Sequence, residues 1–356
     1  MGTEDTVSIL EQGGALDVAH AEDRDLPTLP PPAGCLSEFS LAVLQEPRRT
    51  PSVEPVLALE VEDPLHDLDF QRALYCVNEI RYRDHVGVDA DAEWHPNVTD
   101  WWYLLSRRFE DALLAAVPVD DPPDDRGRTA GDTIAAIIET ADGPSLSSGI
   151  LDAPSVERMQ EFSIHRSAYQ LKEADPHTFA LPRLAGAAKA AFVEIQMDEY
   201  GEGRPGRAHA ELFARSMRAL GLDDRYGHYV GRLPATTLAT VNLITHLAFH
   251  RRLLPALLGH LALFEMTSVT PMGRYAESLR RLGLGDDACE FYDVHVEADE
   301  HHGPLARHGL VDAYVAEHPS AAALAVWGAR VTMVVESRFA RHLIDAWSTG
   351  RSSLLS

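Results

Sequence analysis

A chain of 356 residues, 45% hydrophobic and 24% charged, has a globular composition and enough length for one large core or two small ones. Its net charge of −24 opposes binding to nucleic-acid phosphates and to anionic membranes. Its three cysteines, Cys35, Cys76 and Cys289, are too sparse for a thiolate metal site or a disulfide framework, which fits a reducing cytoplasm.

No apolar run reaches ~18 residues, so no membrane span is expected, and the acidic N-terminus does not read as a signal peptide. Over residues 1–60 the stretches PTLPPPAG (27–34) and EPRRTPSVEP (46–55) are broken by proline and carry no sustained period, which predicts an irregular or partly disordered arm. From Leu65 the pattern is helical. FQRALYCVNEIRYRD (70–84) and WWYLLSRRFEDALLAAV (101–117) repeat apolar residues at three and four. The bulky Trp101, Trp102 and Tyr103 read as core packing rather than as a pocket wall. PVDDPPDDRGRTAGD (118–132) reads as an acidic loop. Helical patterns follow over 133–141, 154–174, 183–200, 207–220, 235–266, 273–282, 286–302, 304–316 and 320–346. Pro234, Pro255, Gly283 and the pair Gly303-Pro304 punctuate them. With no run of alternating strands and no internal repeat, the pattern predicts one all-α domain over 61–350, of roughly eight to ten helices, behind the arm.

Histidine, at 17 copies, is the unusual resource, and several ionisable residues fall where a helix wheel demands core. Leu184, Ala188, Ala191, Phe192 and Ile195 form a stripe that contains Glu199, with Asp198 on its rim. Phe213, Ser216 and Leu220 define a stripe containing His209, and Glu265 sits at the edge of the stripe from Leu254 to Phe264. In DDACEFYDVHVEADEHHGP (286–304), Ala288, Phe291, Tyr292, His295, Asp299 and His302 share one face, while Glu300 and His301 point away. A buried carboxylate must be neutralised, paired or bound to a metal. His295, Asp299 and His302 stand at i, i+4 and i+7, a strip suited to metal ligands. Carboxylates with imidazoles and no thiolate exclude iron–sulfur and cysteine-zinc sites and suggest a di-iron or di-manganese centre. A ferritin-like version needs two Glu-x-x-His motifs, and the chain offers only Asp299-x-x-His302.

Four segments carry a family resemblance. KEADPHTFALPRLAGAAKAAFVEIQMDEYGEGRPGRAHAELF (172–213), GHLALFEMTS (259–268), FYDVHVEADEHH (291–302) and LYCVNEIRYRDHVGVDADAEWHP (74–96) resemble the haem-oxygenase-like di-iron oxidases, or iron-containing redox enzymes, over about residues 65–345. The resemblance implies a haem-oxygenase-like helical bundle with two iron ions and O2 as co-substrate. It implies one ligand group of Glu199, His209 and Glu265, with Glu265 bridging or near-bridging, and a second of His295, Asp299 and His302. Glu173, in LKEADPH, matches an extra carboxylate of the family's N-oxygenating branch. Glu202 is an alternative to Glu199, disfavoured because it lies in the Gly-rich loop rather than in the apolar stripe.

Four carboxylates (Glu173, Glu199, Glu265, Asp299) would balance two ferrous ions, and without metal they would crowd an apolar pocket, so metal binding is expected to be coupled to local folding over 286–303. The resemblance further implies N-oxygenation of an amine, guanidine or aminoazole in natural-product metabolism, or else desaturation or C–C cleavage of an amino acid. It also implies a homodimer. A haem protein of the same architecture needs one axial histidine and leaves the inward carboxylates unexplained. A non-catalytic helical module is the remaining alternative. No nicotinamide or flavin fingerprint is present, so electrons are expected from an external donor. The turn in MDEYGEGRPGRAH (197–209) carries the sharpest expectation. In an unbroken helix, residues ten apart lie ~15 Å apart along the axis, so only the Gly/Pro break can bring Glu199 and His209 to one metal.

Overall fold

A computed structural model describes residues 26–49, 60–120 and 127–356. Among them are thirteen helices of seven residues or more and no strand. In chain order they are α1 (Cys35–Gln45), α2 (Leu68–Glu79), α3 (Pro96–Ala116), α4 (Ala130–Glu139), α5 (Leu146–Asp152), α6 (Val156–Gln170) and α7 (Gly186–Glu199). Then come α8 (His209–Ala219), α9 (Ala235–Phe249), α10 (Leu254–Thr267), α11 (Val269–Arg281), α12 (Asp286–Pro304) and α13 (Ala322–Ser348). Polar side chains set many of the starts: Asp67 accepts the Phe70 N–H at 2.7 Å, Ser155 accepts that of Arg158, and Thr129 caps α4. Pro96 and Pro255 open α3 and α10, where a missing N–H costs nothing.

The expected irregular arm is corrected over 35–45, which forms α1. Leu36, Phe39, Val43 and Leu44 of this helix are buried in the core. Its N-terminus is satisfied from a distance, because the Asp69 carboxylate of α2 accepts the N–H groups of Leu36 and Ser37, each at 2.8 Å. The segment is short and flanked by prolines, so its period did not stand out. The rest of that arm up to residue 25, and 50–59, lie outside the described residues, as do 121–126 of the acidic loop.

Two further boundaries differ. The stretch 235–266 is two helices separated by a 3-10 turn over Arg251–Leu253. Gly303-Pro304 does not end a helix: α12 passes into a π-helical stretch, Leu305–Asp312, and a last turn at Ala313–Glu317. Proline removes one helical N–H and crowds the carbonyl a turn back, and a wider π register absorbs both. Gly303 serves packing, since a Cβ there would lie 3.2 Å from the Glu265 carbonyl oxygen on α10.

Among the described residues the apolar core falls into two large clusters and a small third one around Tyr75, Ile164, Leu233 and Leu238. The larger joins α1–α3 to α7, α9, α10 and α13; the smaller joins α5, α6, α8, α11 and α12 to the end of α13. α10 and α13 cross backbone to backbone: a Cβ on Gly259 would sit 1.9 Å from the Ala325 carbonyl oxygen, and one on Gly328 2.1 Å from that of Ala256. Trp101 is buried, with its indole N–H on Ser40 Oγ at 2.8 Å; Trp102 is half-buried and Tyr103 is exposed. No single helix among the described residues is long and apolar enough to cross a membrane.

Candidate metal centre

Where the two cores meet, five helical segments converge. Glu199 closes α7 and His209 opens α8, and the turn between them is held in left-handed backbone at Gly201, Glu202, Gly203 and Gly206. Gly201 lies so close to the end of the turn that a Cβ would meet the Arg207 carbonyl carbon at 2.4 Å. The Glu211 carboxylate accepts the N–H groups of Gly206 and Ala208, and Glu290 on α12 pairs with both Arg207 and Arg215. The result places His209 Nδ1 2.9 Å from Glu199 Oε2. Glu202 is exposed and paired with Arg204, away from the site.

Glu173 follows α6 in a tight turn that Ala174 ends with a φ of 42°. Its neighbour Lys172 points elsewhere, into a buried ion pair with Glu79. Glu173 therefore faces the other way, with Oε1 3.8 Å from His295 Nε2. Two groups of donor atoms emerge, each within 4.8 Å of one another: Glu173, Glu199, His209 and His295, and Glu199, Glu265 and His302. Glu199 belongs to both. This differs from the grouping implied by resemblance, in which His209 and His295 stood on different metals and Glu265 was the bridging residue. His209 and His295 instead stack, with ring centroids 4.2 Å apart. Asp299 stands outside both groups; its Oδ1 is 3.6 Å from His302 Nδ1 and its Oδ2 accepts the Ser268 hydroxyl.

The donor chemistry fits a pair of metal ions. Glu173 Oε2, Glu199 Oε2, His209 Nδ1, Glu265 Oε2 and His302 Nδ1 are buried and make no well-formed hydrogen bond; His209 Nδ1 and Glu199 Oε2, and His302 Nδ1 and Glu265 Oε2, face only each other, at 2.9 and 3.4 Å, although the interior normally satisfies such atoms. The second ring nitrogens of His295 and His302 are spoken for. His295 Nδ1 donates to the Phe291 carbonyl at 2.7 Å, and His302 Nε2 donates to Asp198 at 2.8 Å. Each imidazole is thus oriented with its other nitrogen toward the carboxylates, the usual arrangement behind a metal-binding histidine.

Protonation without metal shows the same strain. Burial pushes Glu265 up to about 8, with the Asp299 and Glu199 charges adding to it. Burial opposes the charge on His295 and His302, yet Glu173 beside the first and Asp299 and Glu265 beside the second outweigh it, raising them to about 10 and about 11. Burial would also raise Glu199, but His209 holds it down at about 2. Burial raises Glu173. Protons therefore occupy places that cations could take.

Glu173, Glu199, Glu265 and His295 also form one end of a cavity of about 350 Å³, which is large enough for a small ligand. Its walls are largely apolar; Arg166, Gln170, Gln196 and Glu336 are among the polar lining residues, which the sequence reading passed over. Asp198 was noted only as a rim residue. The signal for α6 was available: Arg166, Gln170 and Glu173 stand at i, i+4 and i+7.

The sequence agrees with this chemistry. A family model described as iron-containing redox enzyme matches residues 160–337, half of the chain. That span includes Glu173, Glu199, His209, Glu265, His295 and His302. A nitrosourea synthase from Streptomyces achromogenes subsp. streptozoticus is 28% identical over 149 residues, 42% of this chain and 31% of that protein. The alignment thus spans about a third of the relative's length. The chain belongs to the haem-oxygenase-like family of iron-containing redox enzymes.

Proposed function

We propose that the chain is a non-haem di-iron, O2-dependent oxygenase that adds oxygen to nitrogen of a small amine-, guanidine- or aminoazole-type molecule. The observation that carries the two-metal reading is Glu199, whose carboxylate is common to both donor groups. Glu173, His209 and His295 would hold one iron beside it, and Glu265 and His302 the other, with Asp299 close enough to join on loading. Iron held there would supply O2 activation, with electrons from an external donor. Carboxylate oxygens suit the oxidised metal, and the imidazoles, fixed by Phe291 and Asp198, hold the angles. The chain's own contribution is a largely apolar cavity whose lining includes Glu173, Glu199, Glu265 and His295. Oxygen transfer to nitrogen is supported by Glu173 lying within the donor group and by similarity to a protein named for a nitrosourea product.

The test is anaerobic loading with ferrous iron, then O2, with mass analysis over a panel of amines and amino acids. About two irons per chain and products heavier by oxygen support the reading. Loss of hydrogen or carbon from the substrate makes the enzyme a desaturase or C–C-cleaving oxidase. Failure to take up iron overturns both.

A further inference from the structure

Glu173 is the one member of the donor groups that no regular helix carries. α6 ends at Gln170. The chain then turns, with the Lys172 and Asp175 N–H groups on the carbonyls of Tyr169 and Lys172 at 2.9 and 3.0 Å. The turn passes through Ala174 at a φ of 42°, left-handed backbone that disfavours any residue with a Cβ. Strain of that kind persists only where the surroundings over-determine it.

Those surroundings are the end of α2 and the residues after it. Lys172 and Glu79 pair inside the protein, with 0% and 1% of their side chains accessible. The second Glu79 oxygen accepts the Tyr226 hydroxyl, and the ammonium lies 4.3 Å over the Tyr82 ring. Arg83 takes the outer side of the turn, donating to the Leu171 carbonyl at 3.3 Å and reaching the Asp175 carboxylate at 3.8 Å. Asp175 also accepts the hydroxyl of Tyr200, the residue after Glu199, at 2.9 Å. None of these side chains belongs to a donor group or lines the cavity.

A buried ion pair gains little stability over apolar side chains of equal volume. Stability alone is therefore a poor reason for this one, and its geometry supplies another. Lys172 and Glu173 are neighbours whose side chains leave the turn in opposite directions, one to α2 and one to His295. The turn cannot roll to withdraw Glu173 without pulling the ammonium off Glu79 and into aromatic surroundings. We propose that the Lys172–Glu79 pair, backed by Arg83, positions the metal centre: it fixes the left-handed turn and so holds the Glu173 carboxylate beside His295. This inference rests on the reading of the donor groups as a two-iron site. It makes Glu79, on a helix that contributes no ligand, a determinant of how firmly the Glu173 side holds its ion.

Metal binding without turnover tests it. The full chain is titrated anaerobically with ferrous iron, read by calorimetry, and with cobalt(II), whose visible absorption follows its ligands. The double variant Lys172→Met, Glu79→Leu replaces the pair with apolar side chains. Its urea midpoint should stay level or rise, while affinity for one of the two ions falls by about tenfold or more and the cobalt spectrum changes. Adding Ala174→Gly, which takes left-handed backbone freely, should recover part of that affinity. Arg83→Gln leaves the buried pair in place and should weaken the same ion by a smaller factor; it carries the test if the double variant does not fold. Native affinity and spectrum in the variants, beside a native chain that binds two ions, overturn the positioning role alone. So does a loss that Ala174→Gly does not recover. A native chain that binds no ion overturns the two-iron reading and this inference with it.

Discussion

Each imidazole and carboxylate of the centre carries its own proton account, and that account can be measured. Glu265, His295 and His302 are shifted upward to about 8, 10 and 11 in the folded metal-free chain, from ordinary values of 4.5, 6.5 and 6.5. The folded state therefore binds these protons more tightly than the unfolded one. Their stabilisation is complete below the unfolded values and is lost as pH rises through the folded ones. The thermal midpoint of the metal-free chain should fall between about pH 7 and about pH 10, and iron should flatten the profile. A metal-free midpoint that climbs over this range would show the shifts to be wrong. Loading iron near neutral pH should release about three protons per chain, one from each group, read by calorimetry in buffers of different ionisation enthalpy. At Asp198 the expected effect is indirect. Asp198→Asn keeps size but weakens the partner of His302 Nε2, so iron affinity at that position should drop by about 10–100-fold, with little change in fold. Unchanged affinity would reduce Asp198 to a surface acid.

Helix ends and crossings decide whether those side chains meet. The α7–α8 turn needs left-handed backbone at Gly201, where a side chain would also collide with Arg207. Gly201→Ala should cost about 1–2 kcal/mol for the backbone alone. The collision should also separate Glu199 from His209, so iron affinity falls along with the denaturation midpoint. Loss of midpoint with full iron affinity would mean that the turn does not set the pair. Gly259 works at a crossing instead of a turn, with no room for a methyl against Ala325. Gly259→Ala should destabilise the chain by about 1–3 kcal/mol or more through overpacking, measured in urea at constant m-value. It lies six residues from Glu265 on α10, so the damage should reach the centre through a shift of that helix.

Across the molecule, the centre lies where the two larger cores meet. α7 and α10 belong to the larger core, α8 and α12 to the smaller. Five buried ligand atoms without well-formed hydrogen bonds mark the seam. Without metal the seam is held against carboxylate repulsion; metal bound there would cross-link it. Backbone amides of 286–304 should therefore exchange with solvent faster in the metal-free chain, while those of α9 and α13 change little. Equal protection of 286–304 in both states would deny the coupling between metal and folding.

The sequence by itself determined the helical class, most helix positions and the inward residues. A 3.6-residue apolar period shows which face of a helix is buried, and Glu199, His209, His295 and His302 broke that period visibly. It also showed, from the Gly/Pro break at 201–206, that one helix had to end for Glu199 and His209 to meet. Periodicity says nothing about which helix faces which. Only the tertiary structure could place His209 with His295, make Glu199 common to both groups and move Asp299 to the edge. The same limit hid α1, whose cap is Asp69 on another helix, and turned Gly303 from an expected breaker into a point of contact with α10. A strip such as Arg166, Gln170 and Glu173 is local and could be counted on a wheel. That Arg166 meets Glu336 of α13 in a cavity wall is a long-range fact, set by how the helices pack and not by any one segment.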